Sequence, residues 1–492
     1  MDLFISTRGA GGAVGAPEAV LRGIAPDGGL YIRNEMPEIA PESLAGAPFV
    51  EIAKRVLGAY LSGYSQAEID GCVARAYAGK FDAEEIAPLV KVGERYVLEL
   101  FHGPTAAFKD VALSVLPQLM SCALQKTGAR EEILILTATS GDTGSAALRG
   151  FADVPGIRII VFYPDAGISP IQRAQMTTMA GENIDVCAIS GNFDDAQSGV
   201  KRIFTGISDE FCRAAGVALS SANSINIGRL APQIVYYYSA YLELAARGAI
   251  AMGDPVNFCV PTGNFGDILA GLYAREMGLP VGRLICASNA NRVLTDFFET
   301  GVYDRRREFL TTRSPSMDIL VSSNLERLLY QALEGDAPAV AERMRALSER
   351  GCYSMPDSAM ARIRAVFSGA CATDEQALDA IGRVFRDTGY LMDPHTAVAW
   401  RAAEDDAKRT GDGAPCVVLS TASPFKFPES VLRALGKEIP ADARAQLLRM
   451  QQISGTRAPE SLAGVLDRPV RFDGVIAPEK MMDYVLGKAA RK

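Results

Sequence analysis

The sequence predicts an α/β protein, with parallel sheets covered by helices and a mainly helical N-terminal domain in front of them. Two patterns carry this expectation. From about residue 98 onward, short apolar runs alternate with helical stretches, the mark of a parallel sheet built from β-α-β units. The strongest of these runs end in polar, mostly glycine-containing turns, where open α/β sheets place their ligands. Size agrees: 492 residues, 48% of them hydrophobic and 22% charged, can bury large cores without metal or disulfide staples.

The elements follow in order. Up to about Val97 the chain mixes turn signals, Gly9 to Gly15 and Pro26-Asp27-Gly28-Gly29, with amphipathic stretches such as Ile52 to Tyr60. Across Phe49 to Leu57 apolar positions recur at helical spacing, which predicts a helix there. Tyr96 to Phe101 reads as an apolar strand. Ile133 to Leu136 reads as a buried strand, followed by the turn Thr139-Ser140-Gly141-Asp142-Thr143-Gly144 and a small-residue helix start at Ser145. Strands from Ile157 to Phe162 and from Asn183 to Ile189 alternate with helices beginning near Ser169 and near Asp194. A second series runs from a strand at Val256 to Val260, through a turn at Gly263 to Gly266 and a helix from Asp267 to Met277, to a strand at Leu284 to Ser288. Between about 300 and 410 amphipathic helix is expected, and the charge run at Arg305 to Glu308 reads as a solvated face. The last clear strand, Cys416 to Leu419, leads into Ser420-Thr421-Ala422. The expected organisation is therefore an N-terminal domain over 1–97 and two α/β regions over 98–250 and 251–492.

Composition excludes several functions. With 50 basic against 58 acidic residues the formal charge is -8, which argues against a nucleic-acid surface. Nine scattered cysteines without a CxxC pair, and only His102 and His395, disfavour structural zinc and a disulfide framework and fit a reducing cytoplasm. No apolar run is long enough to span a membrane, and Asp2 stands where a signal peptide would carry basic residues. Neither histidine accompanies a GxSxG nucleophile elbow, so a hydrolase triad is poorly supplied.

Four segments carry candidate chemistry. In His102-Gly103-Pro104-Thr105-Ala106-Ala107-Phe108-Lys109-Asp110, a lysine follows an apolar strand among small and aromatic residues, where desolvation would lower its pKa and favour Schiff-base formation. Taken alone, it reads rather as a surface lysine opening a helix. Pro261-Thr262-Gly263-Asn264-Phe265-Gly266-Asp267 would aim backbone N–H groups and a helix dipole at one spot, a phosphate cradle or an ordinary βα turn. The Thr139 to Gly144 turn suits a carboxylate or phosphate, or a helix start capped by Asp142 or Thr143. Ser224-Ile225-Asn226-Ile227-Gly228-Arg229 offers a guanidinium fork that is either an anion clamp or a salt-bridged helix residue. Downstream, Thr421 presents a hydroxyl for a ring nitrogen or for helix capping.

In combination, and in this order, these segments resemble threonine synthases of the long bacterial and fungal type, fold-type II pyridoxal-phosphate enzymes of the tryptophan synthase β superfamily. The resemblance also takes in Ser6-Thr7-Arg8-Gly9, Ala25 to Tyr31, Asp393-Pro394-His395-Thr396-Ala397 and Thr421 to Pro428, and so covers nearly the whole chain. It implies that Lys109 binds pyridoxal 5'-phosphate as a Schiff base and that Gly263, Asn264, Phe265, Gly266 and Asp267 surround the cofactor phosphate. Thr421 would face the pyridine nitrogen, and the two α/β regions would intertwine as large and small catalytic domains. The implied substrate is O-phospho-L-homoserine. Its carboxylate would sit in the turn of Ser140, Gly141, Asp142 and Thr143, and its phosphate on Ser224, Asn226 and Arg229, with Arg8 and Arg173 as further candidates. Ser423 departs from the family pattern, which has histidine there. A related β-eliminating dehydratase and a catalytically silent phosphate-binding relative remain as alternatives.

Overall fold

The computed structural model describes residues 3–490 except Ser140 and Gly167. Its N-terminal part pairs strands Phe4–Ser6 and Tyr31–Arg33 antiparallel and packs three helices, Ala16–Arg22, Phe49–Tyr60 and Gln66–Tyr77. In Phe49–Tyr60 the buried side chains are Phe49, Ile52, Ala53, Val56, Leu57 and Tyr60, one stripe at helical spacing that faces helix Ile227–Ala246. Ser65 and Glu68 close a capping box that starts the next helix.

Two sheets form the rest. One is wholly parallel and five-stranded, in the order Val475–Ile476, Ile184–Ile189, Ile157–Pro164, Glu132–Ala138, Val217–Ser220. The other has six strands, in the order Phe367–Cys371, Val281–Ser288, Val256–Pro261, Cys416–Ser420, Arg95–Glu99, Leu89–Val92, and only the last pair is antiparallel. The central strands are mainly apolar because helices cover both of their faces. All six residues of Val256–Pro261 are buried.

Several features differ from the expectation. Strand Arg95–Glu99 spans the boundary drawn at residue 97 and pairs with Cys416–Ser420, so the segment before Lys109 belongs to the second sheet. Phe367–Cys371 is an edge strand inside the stretch expected to be mainly helical. Its small residues hide it: a Cβ on Gly369 would lie 3.0 Å from the Thr295 Cα of helix Val293–Thr300, so close helix packing dictates the composition. Val302–Asp304 and Cys352–Ser354 form a further antiparallel pair in that stretch.

Candidate active site

One cavity of about 240 Å³ opens where the C-terminal ends of both sheets meet. Lys109, Asp142, Thr143, Ser224, Arg229, Gly263, Asn264, Phe265, Gly266, Asp267 and Thr421 all line it. Gly141 and Asn226 do not, and Ser140 lies outside the described residues.

Lys109 begins helix Lys109–Thr127. The loop before it is closed by Asp110, whose carboxylate accepts the Thr105 N–H at 2.8 Å and the Thr105 hydroxyl at 2.6 Å. Gly103 makes that closure feasible, because a Cβ there would lie 2.4 Å from the Asp110 Cβ. The Lys109 Nζ stands 4.5 Å from the Phe108 ring centroid and 3.9 Å from Asp142 Oδ2. Burial lowers the amine to about 8 against the pull of Asp142, and the nearby Arg229 and Lys426 add to the shift. His102 of the same string is not at the cavity; its ring bonds Asp82 and Glu99. Backbone contacts bring Thr421 beside Lys109: the Thr421 carbonyl accepts the Phe108 N–H at 2.8 Å, and the Ala106 carbonyl accepts the Ser423 N–H at 3.1 Å.

Opposite stands the turn between strand Val256–Pro261 and helix Gly266–Glu276. None of the N–H groups of Gly263 through Asp267 donates to another described residue, so they converge on the cavity at a helix N-terminus. Phe265 takes φ +63°, a left-handed conformation, and its ring packs on Phe298 and Phe367, which hold the strained residue in place. Gly266 itself needs no such freedom. At Gly263 the constraint is space: a Cβ would lie 2.7 Å from the Ser316 carbonyl oxygen. The Asp267 carboxylate accepts the Tyr236 and Tyr237 hydroxyls at 2.6 and 2.9 Å, and burial raises it to about 6 against those bonds. Its backbone N–H, rather than its carboxylate, suits an anion.

The Thr139 turn is held by the Thr139 hydroxyl oxygen, which accepts the N–H groups of Gly141 and Gly144, each at 2.9 Å. Helix Asp142–Phe151 thus starts with Gly141 at its N-cap, and neither Asp142 nor Thr143 caps it. The Asp142 carboxylate pairs with Lys426 Nζ at 2.7 Å and accepts from Gln172 at 2.9 Å. Burial opposes its ionisation, yet Lys426, Lys109 and Gln172 together hold it well below the usual carboxylate range. Lys426 is wholly buried and also donates to the Thr105 carbonyl at 2.9 Å. Sequence reasoning missed this residue, although a lysine between Phe425 and Phe427 was a signal of burial.

Arg229 is 5% exposed, and one nitrogen donates to the Ala222 carbonyl at 2.7 Å. Burial lowers its guanidinium to about 10, and no carboxylate among the described residues pairs with it. A buried cation without a counter-ion, open to a cavity, calls for an anionic ligand. Ser224 lines the same wall, its hydroxyl accepting from Asn324 at 3.0 Å. Asn226, by contrast, caps helix Ile227–Ala246 through Gly228 and spends its amide on the carbonyls of Val20 and Ser221, so it joins the N-terminal part to the site instead of facing it. Arg8 pairs with Glu326 and Arg173 with Asp165; neither lines the cavity. Ser423 accepts the Phe425 N–H and starts a short 3-10 turn.

Two parallel-rich sheets with a buried lysine opening a helix at their junction, and an unpaired amide turn facing it, define a fold-type II pyridoxal-phosphate enzyme. Residues 81–370 match the family described as pyridoxal-phosphate dependent enzyme. Residues 3–77 and 396–485 match the families described as threonine synthase N terminus and threonine synthase, C-terminal. The chain is 43% identical to a threonine synthase of Pseudomonas aeruginosa over 89% of its own length and 91% of the relative's. It superimposes with a TM-score of 0.88 on a pyridoxal-phosphate-bound threonine synthase from Brucella melitensis, at 39% identity and covering 100% and 99% of the two chains. The yeast threonine synthase structure also gives a TM-score of 0.88, at 32% identity, with 99% and 98% covered. The chain belongs to the threonine synthase family.

The Gly263 contact supports a direct check of the cradle. Gly263→Ala should weaken pyridoxal-phosphate binding about tenfold, because an overpacked methyl group costs roughly 1–3 kcal/mol at the turn itself. Titration of the apo-protein measures this. Unchanged affinity would remove this turn from the cofactor site.

Proposed function

We propose that the protein is a threonine synthase that converts O-phospho-L-homoserine and water to L-threonine and phosphate, with pyridoxal phosphate held at Lys109. The donor set suits that cofactor: an amine for its aldehyde at Lys109, unpaired N–H groups of residues 263–267 for its phosphate, and a neutral hydroxyl at Thr421 for its ring nitrogen. When bound, the cofactor supplies an electron sink for carbanions at Cα and Cβ.

The chain's own groups do the rest. Lys109, its amine lowered to about 8, carries protons at Cα, and the Asp142 carboxylate 3.9 Å away stabilises the ammonium each time it forms. Thr143 and the N-terminus of helix Asp142–Phe151 receive the substrate carboxylate. The Asp142 side chain is engaged with Lys426 and takes no part in that contact. Arg229 and Ser224 hold the γ-phosphate and neutralise it as it leaves. Burial of Lys109, Asp142 and Arg229 excludes bulk water and strengthens each of these charge contacts.

The observation that carries this reading is the buried, uncompensated Arg229 in the same cavity as a separate amide turn, two anion sites for two phosphates. A dehydratase needs only one. Incubation of the purified holoenzyme with O-phosphohomoserine should release threonine and phosphate in equal amounts. Deamination of L-serine or L-threonine without phosphate release would instead favour the dehydratase. Among the described residues no helix is long and apolar enough to cross a membrane, and the nine free cysteines suit a reducing cytoplasm.

A pH dependence follows from Lys109. Its folded pKa is depressed from 10.5 to about 8, so below pH 8 the amine is mainly protonated and unable to attack an aldehyde. Cofactor uptake by the apo-protein should therefore rise about tenfold per pH unit up to pH 8 and level off above it. Stopped-flow absorbance gives the profile. A rise continuing past pH 10 would show that Lys109 is not desolvated.

A further inference from the structure

The Asp393-Pro394-His395 string stands out in the sequence, yet the chemistry above leaves it without a task. His395 is 2% exposed and borders the cavity. Its Nδ1 lies 2.6 Å from Asp393 Oδ2, and its Nε2 lies 3.1 Å from the backbone nitrogen of Ser316. A backbone N–H only donates, so Nε2 carries no proton and Nδ1–H points at Asp393. Asp393 is itself fixed as the N-cap of helix Pro394–Thr410, and the Phe427 ring packs against the imidazole at 5.0 Å.

Ser316 is the apex of a strap, Thr312 to Asp318, that walls the cavity. Its base is closed by the Asp318 carboxylate, which accepts from the Thr312 N–H and hydroxyl, Asn289 and Asn291. At the apex, the Ser316 hydroxyl donates to Asp142 Oδ2 at 3.3 Å. The Ser316 carbonyl lies so close to Gly263 that only glycine fits there. One residue thus touches the amide turn that follows a strand of one sheet and the carboxylate that follows a strand of the other. Both nitrogens of His395 are satisfied, and the second bond comes from the residue that spans both turns.

We propose that His395 is a positioning residue for the reaction: locked by Asp393 with Nδ1 protonated, it accepts the Ser316 N–H and sets the strap against the Gly263 turn and Asp142. The proposal deepens the threonine synthase reading, and rests on it only for the activity measurement. If the acceptor is lost, a buried N–H is left unpaired and the apex shifts away from both turns.

The test uses the whole protein, with His395→Leu, which has no acceptor, and His395→Gln, whose amide oxygen reaches the same position. His395→Leu should raise the Kd of pyridoxal phosphate for the apo-protein at least tenfold. It should also lower kcat/KM for O-phosphohomoserine, normalised to bound cofactor, at least tenfold. His395→Gln should return both to within about threefold of wild type. Cofactor-normalised kinetics do not respond to a merely smaller folded fraction, and that fraction would have to fall below about one tenth to raise Kd tenfold, which circular dichroism of the apo-variant checks. Equal values for Leu and wild type, or no recovery with Gln, would overturn the proposal. Should His395→Leu fail to fold, selective 15N-histidine labelling of the wild type resolves the question, because the chain has two histidines. His395 should show a protonated Nδ1 and an unprotonated, hydrogen-bonded Nε2, and the opposite tautomer or an imidazolium would overturn it. Failure of the wild type to make threonine would count against the function, whereas the cofactor affinities and the tautomer would still judge the strap.

Discussion

Lys109→Ala should lower threonine formation by at least about a thousandfold while leaving the fold intact, the scale expected when a general base is removed from its site. In the proposed function one amine both anchors the cofactor and carries protons at Cα. Lys426 is the other ammonium packed against Asp142, but its Nζ is committed to Asp142 at 2.7 Å and to the Thr105 carbonyl at 2.9 Å, so it cannot take over. Stability should change little. Burial disfavours the charged form of Lys109, and its removal relieves that cost while Lys426 continues to balance Asp142. Thermal unfolding should stay within a few degrees of wild type, and absorbance should show no cofactor bound covalently. A variant with wild-type turnover and an unchanged cofactor spectrum would exclude Lys109 as the attachment site.

Arg229→Lys should lower kcat/KM for O-phosphohomoserine at least tenfold and leave cofactor affinity nearly unchanged. Arg229 spends one nitrogen on the Ala222 carbonyl and lines the cavity, and in the proposed function the rest of its planar fork meets the substrate phosphate. Lysine keeps a charge but loses the fork and, being shorter in reach, either the Ala222 bond or the anion contact. Each charge-assisted hydrogen bond lost is worth roughly 1.5–3 kcal/mol, one to two powers of ten in specificity. Inhibition by free phosphate should weaken in parallel. Because the cofactor phosphate is assigned to residues 263–267, loss of cofactor with intact substrate kinetics would move Arg229 into the cofactor site. Lys201, which also lines the cavity, would then be the next cation to test.

Much of this was legible in the chain itself. The strands near residues 133, 157, 184, 256, 284 and 416 are mainly apolar, with Arg158, Asp185 and Asn257 as second residues of their strands, because a strand covered by helices on both faces has no polar side. The turns that follow are read by their glycines, hydroxyls and position, which are local properties. Lys109, the Gly263 to Asp267 turn and Thr421 were singled out that way, and all of them line one cavity. Edge strand Phe367–Cys371 was not, because close packing against a neighbouring helix replaced its large apolar residues by small ones.

What the sequence by itself determined is therefore the α/β class, the order of the strands and turns, and the residue types available for an amine, an amide cradle and an anion clamp. Tertiary structure alone decided which of these meet. Arg95–Glu99 joins the sheet of Cys416–Ser420, and that pairing brings Thr421 to Lys109. Asn226 sits three residues from Arg229 but turns its amide to the Val20 carbonyl, 206 positions away, and so leaves the cavity wall to Ser224 and Arg229. Lys426, Ser316 and His395 enter the site through bonds to Asp142 and to one another. The reason is physical: propensity and turn chemistry act over a few neighbouring residues, whereas a buried charge or polar group is placed by whichever partner, however distant in sequence, can satisfy it.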